Sequence, residues 1–370
     1  MKVDVQAYVN HPHVLTRGKD GLLIFNYDHG CIYEKAWDDI TISARGLIVE
    51  EATGKVVARP WGKFWNLNEM PQTRYENLPE GPFTATDKVD GSLGIHFKWH
   101  GNDIIATRGS FESEMAVWGT EWFRKNVNAS VMDPEWTYLF EIIYKENRIV
   151  ISYDFEGLVL LGAINKETGE ELPYEKLVSE ASLMGVRVVG LMPQFGTLLE
   201  LAEHVKNLPG SKEGCVVTFS NGFKVKMKGE EYCRIHKLVC RMTPLAFWEA
   251  YNVDEDRIPR EYLEGLPEEF RETCDYLRDF IEGDIKRRHL ELDKACREVE
   301  AALPENVDDK TFAEKTRQMY PNLFGWIMYC HKGSIAKLRR GIHRAARPTG
   351  NVLPDGVPGL ERIRRVLDES

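Results

Sequence analysis

The sequence predicts an α+β fold over residues 1–240, with mainly antiparallel sheets and flanking helices, and a mostly α-helical domain over residues 241–370. Short runs rich in β-branched and aromatic residues, bounded by Gly, Asn or Asp, recur through the first part and indicate strands. After residue 240 they give way to dense charge and helical spacing of apolar residues. Strands interspersed with a few helices are typical of an α+β domain.

The individual elements follow from these patterns. Strands are predicted at 46–50, 55–60, 91–97, 103–109, 147–153, 157–164, 214–219 and 222–228. Helices are predicted at 113–126 and 173–184, and then at 259–271, 274–302 and 310–320. Because strand signals nearly vanish in the second part, an OB-fold is not expected there.

Composition narrows the class of protein. A chain of 370 residues can form two domains, and a formal net charge of -10 restricts nucleic-acid binding to a local basic surface. The seven cysteines include no C-x-x-C pair, which argues against a disulfide framework and a structural zinc site and fits a reducing compartment. With no secretion signal and no apolar run long enough to span a membrane, we expect a cytoplasmic protein, without a membrane or an obligate protein partner.

Lys88 begins the first chemical motif, Lys-Val-Asp-Gly-Ser, which ends at Ser92. One interpretation is a hairpin turn, because Asp-Gly between two strands is a common turn sequence. The other is a lysine nucleophile that attacks the α-phosphate of a nucleotide. A free lysine is protonated at neutral pH, so that chemistry requires desolvation, further lysines or a metal nearby.

A second motif could supply those lysines. Glu213 and Gly214 precede a strand-like run in which Lys224, Lys226 and Lys228 alternate with apolar residues. Alternate residues of a strand point to one side, so the three ammonium groups share a face. The strand could be an edge strand with a solvated lysine face, or its lysines could hold an anion such as a polyphosphate.

Glu141 lies within an apolar, strand-like run, where an unpaired carboxylate is costly to bury. It could form a salt bridge with a nearby base. It could also contact a ribose hydroxyl or waters around Mg²⁺, an ion usually held by one or two carboxylates plus phosphate oxygens. Further upstream, Arg45 and Lys63 lie beside glycines and aromatic residues and are candidate phosphate contacts. The neighbouring Trp61, Phe64 and Trp65 are more typical of a core.

In this order, the motifs resemble those of the covalent nucleotidyltransferase superfamily, and specifically the ATP-dependent RNA ligases of the phage tRNA-repair type. The resemblance covers residues 40–230. Motifs I, Ia, III, IIIa, IV and V resemble Lys88–Ser92, Thr107–Ser110, Phe140–Glu141, Leu158–Gly162, Glu213–Gly214 and Lys224–Lys226. Arg45 and Lys63 match the arginine and lysine upstream of motif I in the RNA-ligase branch.

The resemblance implies a three-step reaction that uses ATP and Mg²⁺ or Mn²⁺. Lys88 becomes AMP-lysine with release of pyrophosphate, AMP passes to a 5′-phosphate end of RNA, and a 3′-hydroxyl end then expels AMP. The implied catalytic residues are Lys88, Lys224 and Lys226. The implied ATP-binding residues are Arg45, Lys63, Asp87, Val89, Asp90, Gly91, Arg108, Glu141, Lys224 and Lys226. Glu141 and Glu213 would bind the metal through water.

Three kinds of protein remain open at this point: the RNA ligase, a relative such as a GTP-using capping enzyme or a DNA ligase, and a non-catalytic RNA-binding module. The absence of a predicted OB-fold argues against the second, because both of those classes carry one after motif V. The intact motif residues argue against the third.

A basic stretch in the second part is a candidate RNA-binding surface. Residues 315–354 contain no Asp or Glu. The predicted RNA-binding residues within it are Lys337, Arg339, Arg340 and Arg344. Cations on one surface bind the phosphate backbone without reading sequence. The alternative is a helix whose charges are solvated or paired with the preceding acidic helices.

Overall fold

The computed structural model describes residues 1–264 and 270–348, without the side chains of residues 238–240. The chain divides into two compact units, one formed by residues 1–234 and one that begins at residue 235. In the described ranges every strand lies in the first unit, and the regular elements of the second unit are helices. The predicted combination of an α+β part and a helical part is therefore confirmed, and no OB-fold occurs in the described part of the second unit.

Three sheets form the first unit. The first sheet contains β1 (Val14–Lys19), β2 (Leu22–Tyr27), β3 (Arg45–Glu50) and β4 (Val56–Ala58), in that order. The second contains β7 (Ser92–Trp99), β8 (Asn102–Ala106), β9 (Trp136–Ile143), β10 (Gly157–Asn165) and β11 (Arg187–Val188), in the order β11-β10-β9-β7-β8. The third contains β5 (Trp65–Asn66), β6 (Phe83–Asp87), β12 (Gly214–Phe219) and β13 (Lys224–Lys228), in the order β5-β13-β12-β6. Their pairings are antiparallel except for β10 with β11 and β13 with β5.

Helices surround these sheets. Those of the first unit are α1 (Val5–Val9), α2 (His29–Glu34), α3 (Asp39–Ser43), α4 (Glu114–Asn126), α5 (Tyr174–Met184) and α6 (Leu198–Lys206). Short 3₁₀ turns occur at Pro71–Thr73, Tyr75–Asn77, Ala129–Val131 and Lys145–Asn147. Local chemistry sets several ends: the Ser113 hydroxyl accepts the Ala116 N–H at the start of α4, and Gly185, with φ of +76°, ends α5.

The core of the first unit lies on both faces of the second sheet. Ile24 of the first sheet packs in one cluster with Ile95 and Leu139 of the second sheet. On the opposite face, Phe140 packs against α4 and α5 through residues such as Phe123. Successive residues of β9 thus point to opposite sides.

A separate core lies between the third sheet and α6. Val217 of β12 and Val225 of β13 pack against Leu201 of the helix. The alternate residues of both strands face the other way, and the burial of β13 alternates as the sequence predicts. This arrangement leaves Lys224 and Lys226 on the face away from the helix.

The second unit is built from helices. Helix α7 (Glu230–Arg241) crosses from one unit to the other in sequence, and it is followed by α8 (Pro244–Ala250), α9 (Arg260–Glu264), α10 (Arg271–Ala301), α11 (Asp309–Met319), α12 (Phe324–His331) and α13 (Ile335–Ala345). The predicted helix over 259–271 extends across residues 265–269, which lie outside the described residues. Within the described residues, no helix combines the length and the apolar character needed to span a membrane.

The predicted strand at 147–153 is wrong. Residues 148–153 form no regular element, although the Asn-Arg-Ile-Val-Ile-Ser-Tyr run is rich in β-branched residues. The N–H groups of Val150 and Ile151 donate to one carboxylate oxygen of Asp90, at 2.9 and 3.0 Å. Their partner is therefore a side chain and not a neighbouring strand, which sequence patterning cannot reveal.

Candidate functional site

A cavity of about 1750 Å³ opens in the first unit, and residues of all three sheets line it. Ten of the predicted site residues belong to its wall, namely Arg45, Lys63, Asp87, Lys88, Val89, Gly91, Arg108, Glu141, Lys224 and Lys226. The structure thus brings together residues that are dispersed along almost 200 positions of sequence, as the motif order implies. Asp90 and Glu213 are buried beside this wall.

Lys88 lies directly after β6, where the chain leaves the third sheet for the second. Its N–H donates to the Gly214 carbonyl at 2.9 Å, and the Asp87 N–H donates to the Gly190 carbonyl at 2.8 Å. The strands on either side of Lys88 belong to different sheets. The hairpin interpretation of this motif is therefore wrong, and the backbone bonds hold the lysine at the cavity wall.

Glu213 links two lysines beneath the cavity. Its Oε2 lies 2.7 Å from the Lys88 Nζ, and its Oε1 lies 2.8 Å from the Lys228 Nζ. The Glu213 side chain is only 2% exposed, so both contacts form away from bulk solvent. The sequence predicts cations around Lys88, but the fold adds a carboxylate. Lys88 can act as a nucleophile only after this ion pair has been broken.

Glu141 points from β9 towards the same place. It shares the strand face of Leu139, opposite the face that packs on the helices. Burial raises the pKa of Glu141 to about 8, although Lys88 acts in the opposite direction. Within the described residues Glu141 forms no ion pair, so the salt-bridge alternative does not hold there. Lys88 and Arg45 thus act on Glu141 through space, without a direct ion pair in the described residues.

Lys224 and Lys226 both face the cavity, but their surroundings differ. The Lys224 Nζ lies 2.6 Å from Oε2 of Glu171 and donates to the Thr218 hydroxyl at 2.6 Å. Lys226 is surrounded by positive groups, and burial followed by Lys63 and other cations lowers its pKa to about 8. An anion placed beside Lys226 would relieve that repulsion.

Arg45 and Arg108 flank one side of the cavity. Arg45 Nη1 donates to the Trp61 carbonyl at 3.4 Å, and its guanidinium carbon lies 5.6 Å from the centre of the Phe64 ring. Burial lowers the pKa of Arg45, but a guanidinium remains charged at any physiological pH. Arg108 Nη1 donates to the Tyr27 hydroxyl at 3.2 Å. Both cations are thus oriented before any ligand binds.

Lys63 is held in a group of three aromatic rings. Its Nζ lies 5.7 Å from the ring centre of Tyr27, 5.3 Å from that of Trp37 and 5.9 Å from that of Trp65. Such cation–π contacts fix an ammonium group without neutralising it. Trp65 is buried as the sequence predicts, and it also serves to position the lysine.

Asp90 and Gly91 hold the backbone around Lys88 in place, one through hydrogen bonds and the other through close packing. The Asp90 carboxylate accepts from Val150, Ile151 and the Tyr232 hydroxyl, the last at 2.8 Å. These bonds hold the backbone beside the site, and the role of Asp90 in binding ATP stays a prediction. A Cβ on Gly91 would lie 2.7 Å from the Ile142 carbonyl oxygen and 3.0 Å from Cγ of Glu141, so only glycine fits against β9 here.

Asp87 and Val89 lie on either side of Lys88 in the cavity wall. The Asp87 carboxylate is 3.9 Å from the Lys212 Nζ, and Val89 packs in a cluster with Ile143 and Val159. Their role in reading a base stays a prediction.

Four residues of the site are absent from the predicted set: Tyr27, Trp37, Glu171 and Thr218. Thr218 alternates with the buried Val217 and Phe219 on β12, so strand periodicity could have placed it on the cavity face. Glu171 belongs to no motif, and nothing local to it indicates a partner on β13.

The predicted RNA-binding residues lie on α13 in the second unit. Lys337, Arg340 and Arg344 are exposed, and within the described residues none of the three forms an ion pair. Spacings of three and four positions place them on one helix face. Arg339 differs, because it is partly buried and its Nη1 donates to the Asp254 carbonyl at 3.2 Å. Three of the four residues are thus free to contact a ligand.

A lysine at a strand end, carboxylates beneath it and further lysines across a cavity define a site for nucleotidyl transfer. In agreement with that class, the family described as RNA ligase matches residues 43–232. The match spans half of the chain, and the chain belongs to the RNA ligase family.

Individual relatives resemble this chain only in part. A protein named as a candidate RNA ligase from Thermovibrio ammonificans is 27% identical over 238 residues, covering 62% of this chain and 60% of the relative. A candidate bifunctional polynucleotide kinase/RNA ligase of Autographa californica nuclear polyhedrosis virus is 27% identical over 267 residues, 64% of this chain and 35% of the relative. The chain thus spans less than two thirds of either protein. An archaeal ATP-dependent RNA ligase structure, at 17% identity, covers 74% of each chain with a TM-score of 0.46, too low to establish a shared fold.

Proposed function

We propose that this protein is an ATP-dependent RNA ligase that joins 5′-phosphate and 3′-hydroxyl ends through AMP-lysine at Lys88. Membership of the RNA ligase family supports the reaction class, and the cavity around Lys88 supports the position of the chemistry. The resemblance to the tRNA-repair type supports repair of broken RNA as its task. Free thiols at the six described cysteines support action in a reducing compartment such as the cytoplasm.

In the first step the Lys88 Nζ gives up a proton and attacks the α-phosphorus of ATP. A phosphorus–nitrogen bond forms as the bond to the pyrophosphate oxygen breaks. In the second step an oxygen of the RNA 5′-phosphate attacks the same phosphorus and releases the lysine amine. In the third step the RNA 3′-hydroxyl attacks the activated 5′-phosphate and expels AMP.

The cations of the cavity fall into two groups that contact different phosphates of ATP. Lys224 and Lys226 approach the α-phosphate from the face of β13, where they stabilise the charge that develops during transfer. Arg45 and Lys63, both fixed by aromatic contacts, orient the β- and γ-phosphates so that pyrophosphate leaves in line with the attack. Arg108 contacts AMP or the RNA end.

Glu141 and Glu213 are the carboxylates that fit a divalent cation. The buried Glu141 side chain is the main reason, because it forms no ion pair in the described residues and because Mg²⁺ and Mn²⁺ favour oxygen ligands. Within the described residues no cluster of three or more His, Cys, Asp or Glu is arranged to hold a metal. The fit is therefore to an ion that keeps water and phosphate ligands. Such an ion would neutralise phosphate charge during the transfer.

One observation carries the proposal: Lys88 and Lys226 share a cavity and repel each other. Lys88 is among the cations that lower the pKa of Lys226 to about 8. Lys88 is paired with Glu213, but Lys226 forms no ion pair within the described residues, so an anion in the cavity would stabilise its charge. A nucleotide phosphate is an anion of suitable charge, and one of the two lysines is placed to attack it.

The direct test is transfer of label from ATP to the protein. The full chain is incubated with Mg²⁺ and α-labelled ATP, GTP, CTP or UTP, and the labelled protein is digested and analysed by mass spectrometry. We expect an AMP adduct on Lys88 with ATP alone and no adduct in Lys88→Ala. Lys98→Ala removes an exposed lysine of β7 and should label like the wild type.

The outcomes separate the competing classes. Labelling by GTP would indicate a capping-type enzyme, and sealing of nicked DNA but not of RNA would indicate a DNA ligase. RNA binding without any adduct would indicate a binding module. An adduct on a lysine other than Lys88 would contradict the assignment of the nucleophile.

We also propose that α13 binds the RNA backbone. The exposed cations Lys337, Arg340 and Arg344 support this role, because their charges are not used by the described protein groups. Arg339 would contribute less, since it already donates to a carbonyl oxygen. Contacts of this kind position RNA without selecting a sequence.

A further inference from the structure

The sequence does not distinguish the two motif V lysines, but in the part of the chain that the structure describes only Lys224 forms an ion pair with a carboxylate. Lys224 has a side chain that is 8% exposed, and its Nζ contacts Glu171 at 2.6 Å and the Thr218 hydroxyl at 2.6 Å. The Trp61 ring centre lies 4.9 Å from the same nitrogen. A buried ammonium with these contacts has a fixed position.

Lys226 lies two residues further along the same strand face. It shows how burial changes the pKa of a lysine that has no carboxylate partner among the described residues. Its pKa falls to about 8, first because of burial and then because of neighbouring cations. Burial also lowers the pKa of Lys224, but Glu171 opposes that change by charge and by hydrogen bonding. Within the described residues Glu171 is the charged group that faces Lys224.

Glu171 comes from the segment that follows β10, outside the named strands. The chain turns back after β10, and residue 171 pairs with Ile164 in an isolated bridge. The Leu172 N–H then donates to the Ala163 carbonyl at 2.9 Å, which fixes the backbone next to the carboxylate. Glu171 also lines the cavity itself. The ion pair therefore joins this segment to the third sheet at the wall of the site.

We propose that Glu171 is a positioning residue for nucleotidyl transfer, which keeps Lys224 charged and directs its ammonium group at the α-phosphate. This inference rests on the proposed ligase function. A buried ion pair that served stability alone could be replaced by apolar groups at little cost. Here the pair lines the cavity, and its cation is one of the two predicted to stabilise the transferring phosphate.

The role has a consequence for pH dependence. Without the carboxylate, Lys224 remains buried and loses its main stabilising charge, so it gives up its proton at lower pH. The variant then lacks one α-phosphate cation under alkaline conditions. The alkaline limb of the adenylation rate should consequently move to lower pH, whereas damage to packing alone would lower the rate equally at every pH.

The test measures the rate of AMP transfer to Lys88 in the full chain between pH 6 and 9.5. Glu171→Gln should slow transfer by about 10- to 100-fold at pH 8, the scale of losing one group that stabilises transition-state charge, with the alkaline limb displaced. Glu171→Asp keeps a carboxylate and should retain the wild-type shape of the profile at a lower rate. Glu167→Gln removes a nearby carboxylate that is 67% exposed and does not line the cavity, and it should change neither.

A double-mutant cycle shows whether Glu171 acts through Lys224. In a Lys224→Met background, Glu171→Gln should cause no further loss, because the group it positions is gone. A further loss as large as in the wild type, or an unchanged pH profile in Glu171→Gln, would overturn the inference. If the wild type forms no AMP-lysine at all, the proposed function itself fails, and that result is distinct from either of these.

Discussion

At the scale of single residues, Glu141 is a carboxyl group that the fold buries without a direct ion pair among the described residues. Its pKa of about 8 lies well above the ordinary value of 4.5, and burial is the main cause. Burial lowers the pKa of Lys226, to about 8, because it disfavours the charged form of a lysine as it does that of a carboxyl group. Both groups are unfavourable in the free protein, and both suit a site that receives a metal ion and a phosphate.

The first prediction concerns Glu141 and stability. Between about pH 4.5 and pH 8 the folded protein retains a proton that the unfolded chain has released. The free energy of unfolding therefore falls as the pH rises through that window. Glu141→Gln removes this loss, and at pH 9 it should be more stable than the wild type by on the order of 5 kcal/mol. Urea unfolding in the presence of EDTA at pH 5, 7 and 9 measures the difference.

Glu121→Gln is the control for that series, because it removes an exposed carboxylate of α4. Its stability should follow the wild type across the range. Equal pH slopes for Glu141→Gln and the wild type would show that Glu141 is not held in its protonated form.

At the scale of elements, the hairpin of β12 and β13 carries several of the predicted site residues. It presents Lys224, Lys226 and Lys228 on one side, and the residue before β12 is Glu213. Gly214 makes this possible. Its φ is +144°, and a Cβ there would lie 2.0 Å from the Met227 carbonyl oxygen. Two strands can approach closely at this point only because one of them lacks a side chain.

The second prediction compares two glycines of this hairpin. Gly214→Ala should destabilise the protein by about 3 kcal/mol or more through overpacking and strain, and it should strongly reduce AMP transfer by displacing Glu213 and the Lys88 backbone. Gly222 also has a positive φ, of +81°, but nothing lies within 4 Å of its Cβ position. Gly222→Ala should cost only about 1 kcal/mol and leave transfer intact.

Thermal unfolding and the AMP-transfer rate, measured on both variants, provide the comparison. Similar losses in the two variants would mean that positive φ, and not the close approach at Gly214, limits this hairpin.

At the scale of the whole molecule, the predicted adenylation site and the predicted RNA-binding helix α13 belong to different units. The cavity belongs to the first unit, whereas Lys337, Arg340 and Arg344 lie in the second. If α13 binds RNA, its loss should affect sealing and spare the reaction of the protein with ATP alone.

The third prediction follows from this separation. Arg340→Gln/Arg344→Gln should weaken binding of nicked RNA and reduce the slope of log affinity against log salt by about 1–2, as expected for two lost phosphate contacts. AMP transfer to Lys88 in the absence of RNA should keep its wild-type rate. Fluorescence anisotropy over a salt series measures the first effect.

Arg278→Gln is a matched control on α10, because its guanidinium is already engaged by Asp275 at 2.7 Å and Asp279 at 2.8 Å. Its salt slope should equal that of the wild type. A slope that stays unchanged in the α13 double variant would exclude the helix from RNA binding.

The sequence by itself determined the local features of this protein. Strand periodicity placed Lys224 and Lys226 on one face, and the change of sequence pattern near residue 240 separated sheets from helices. The short motifs predict Lys88 as the nucleophile. These features depend on neighbouring residues, and the pattern of side chains along the chain specifies them directly.

Only the tertiary structure decided which groups meet. Asp90 binds backbone N–H groups about 60 positions away, Glu213 pairs with Lys88, and Glu171 neutralises Lys224 from the segment that follows β10. The predicted strand at 147–153 is wrong because the N–H groups of Val150 and Ile151 donate to that same Asp90. Burial and charge pairing depend on distances between distant segments, and a linear pattern contains no such distances.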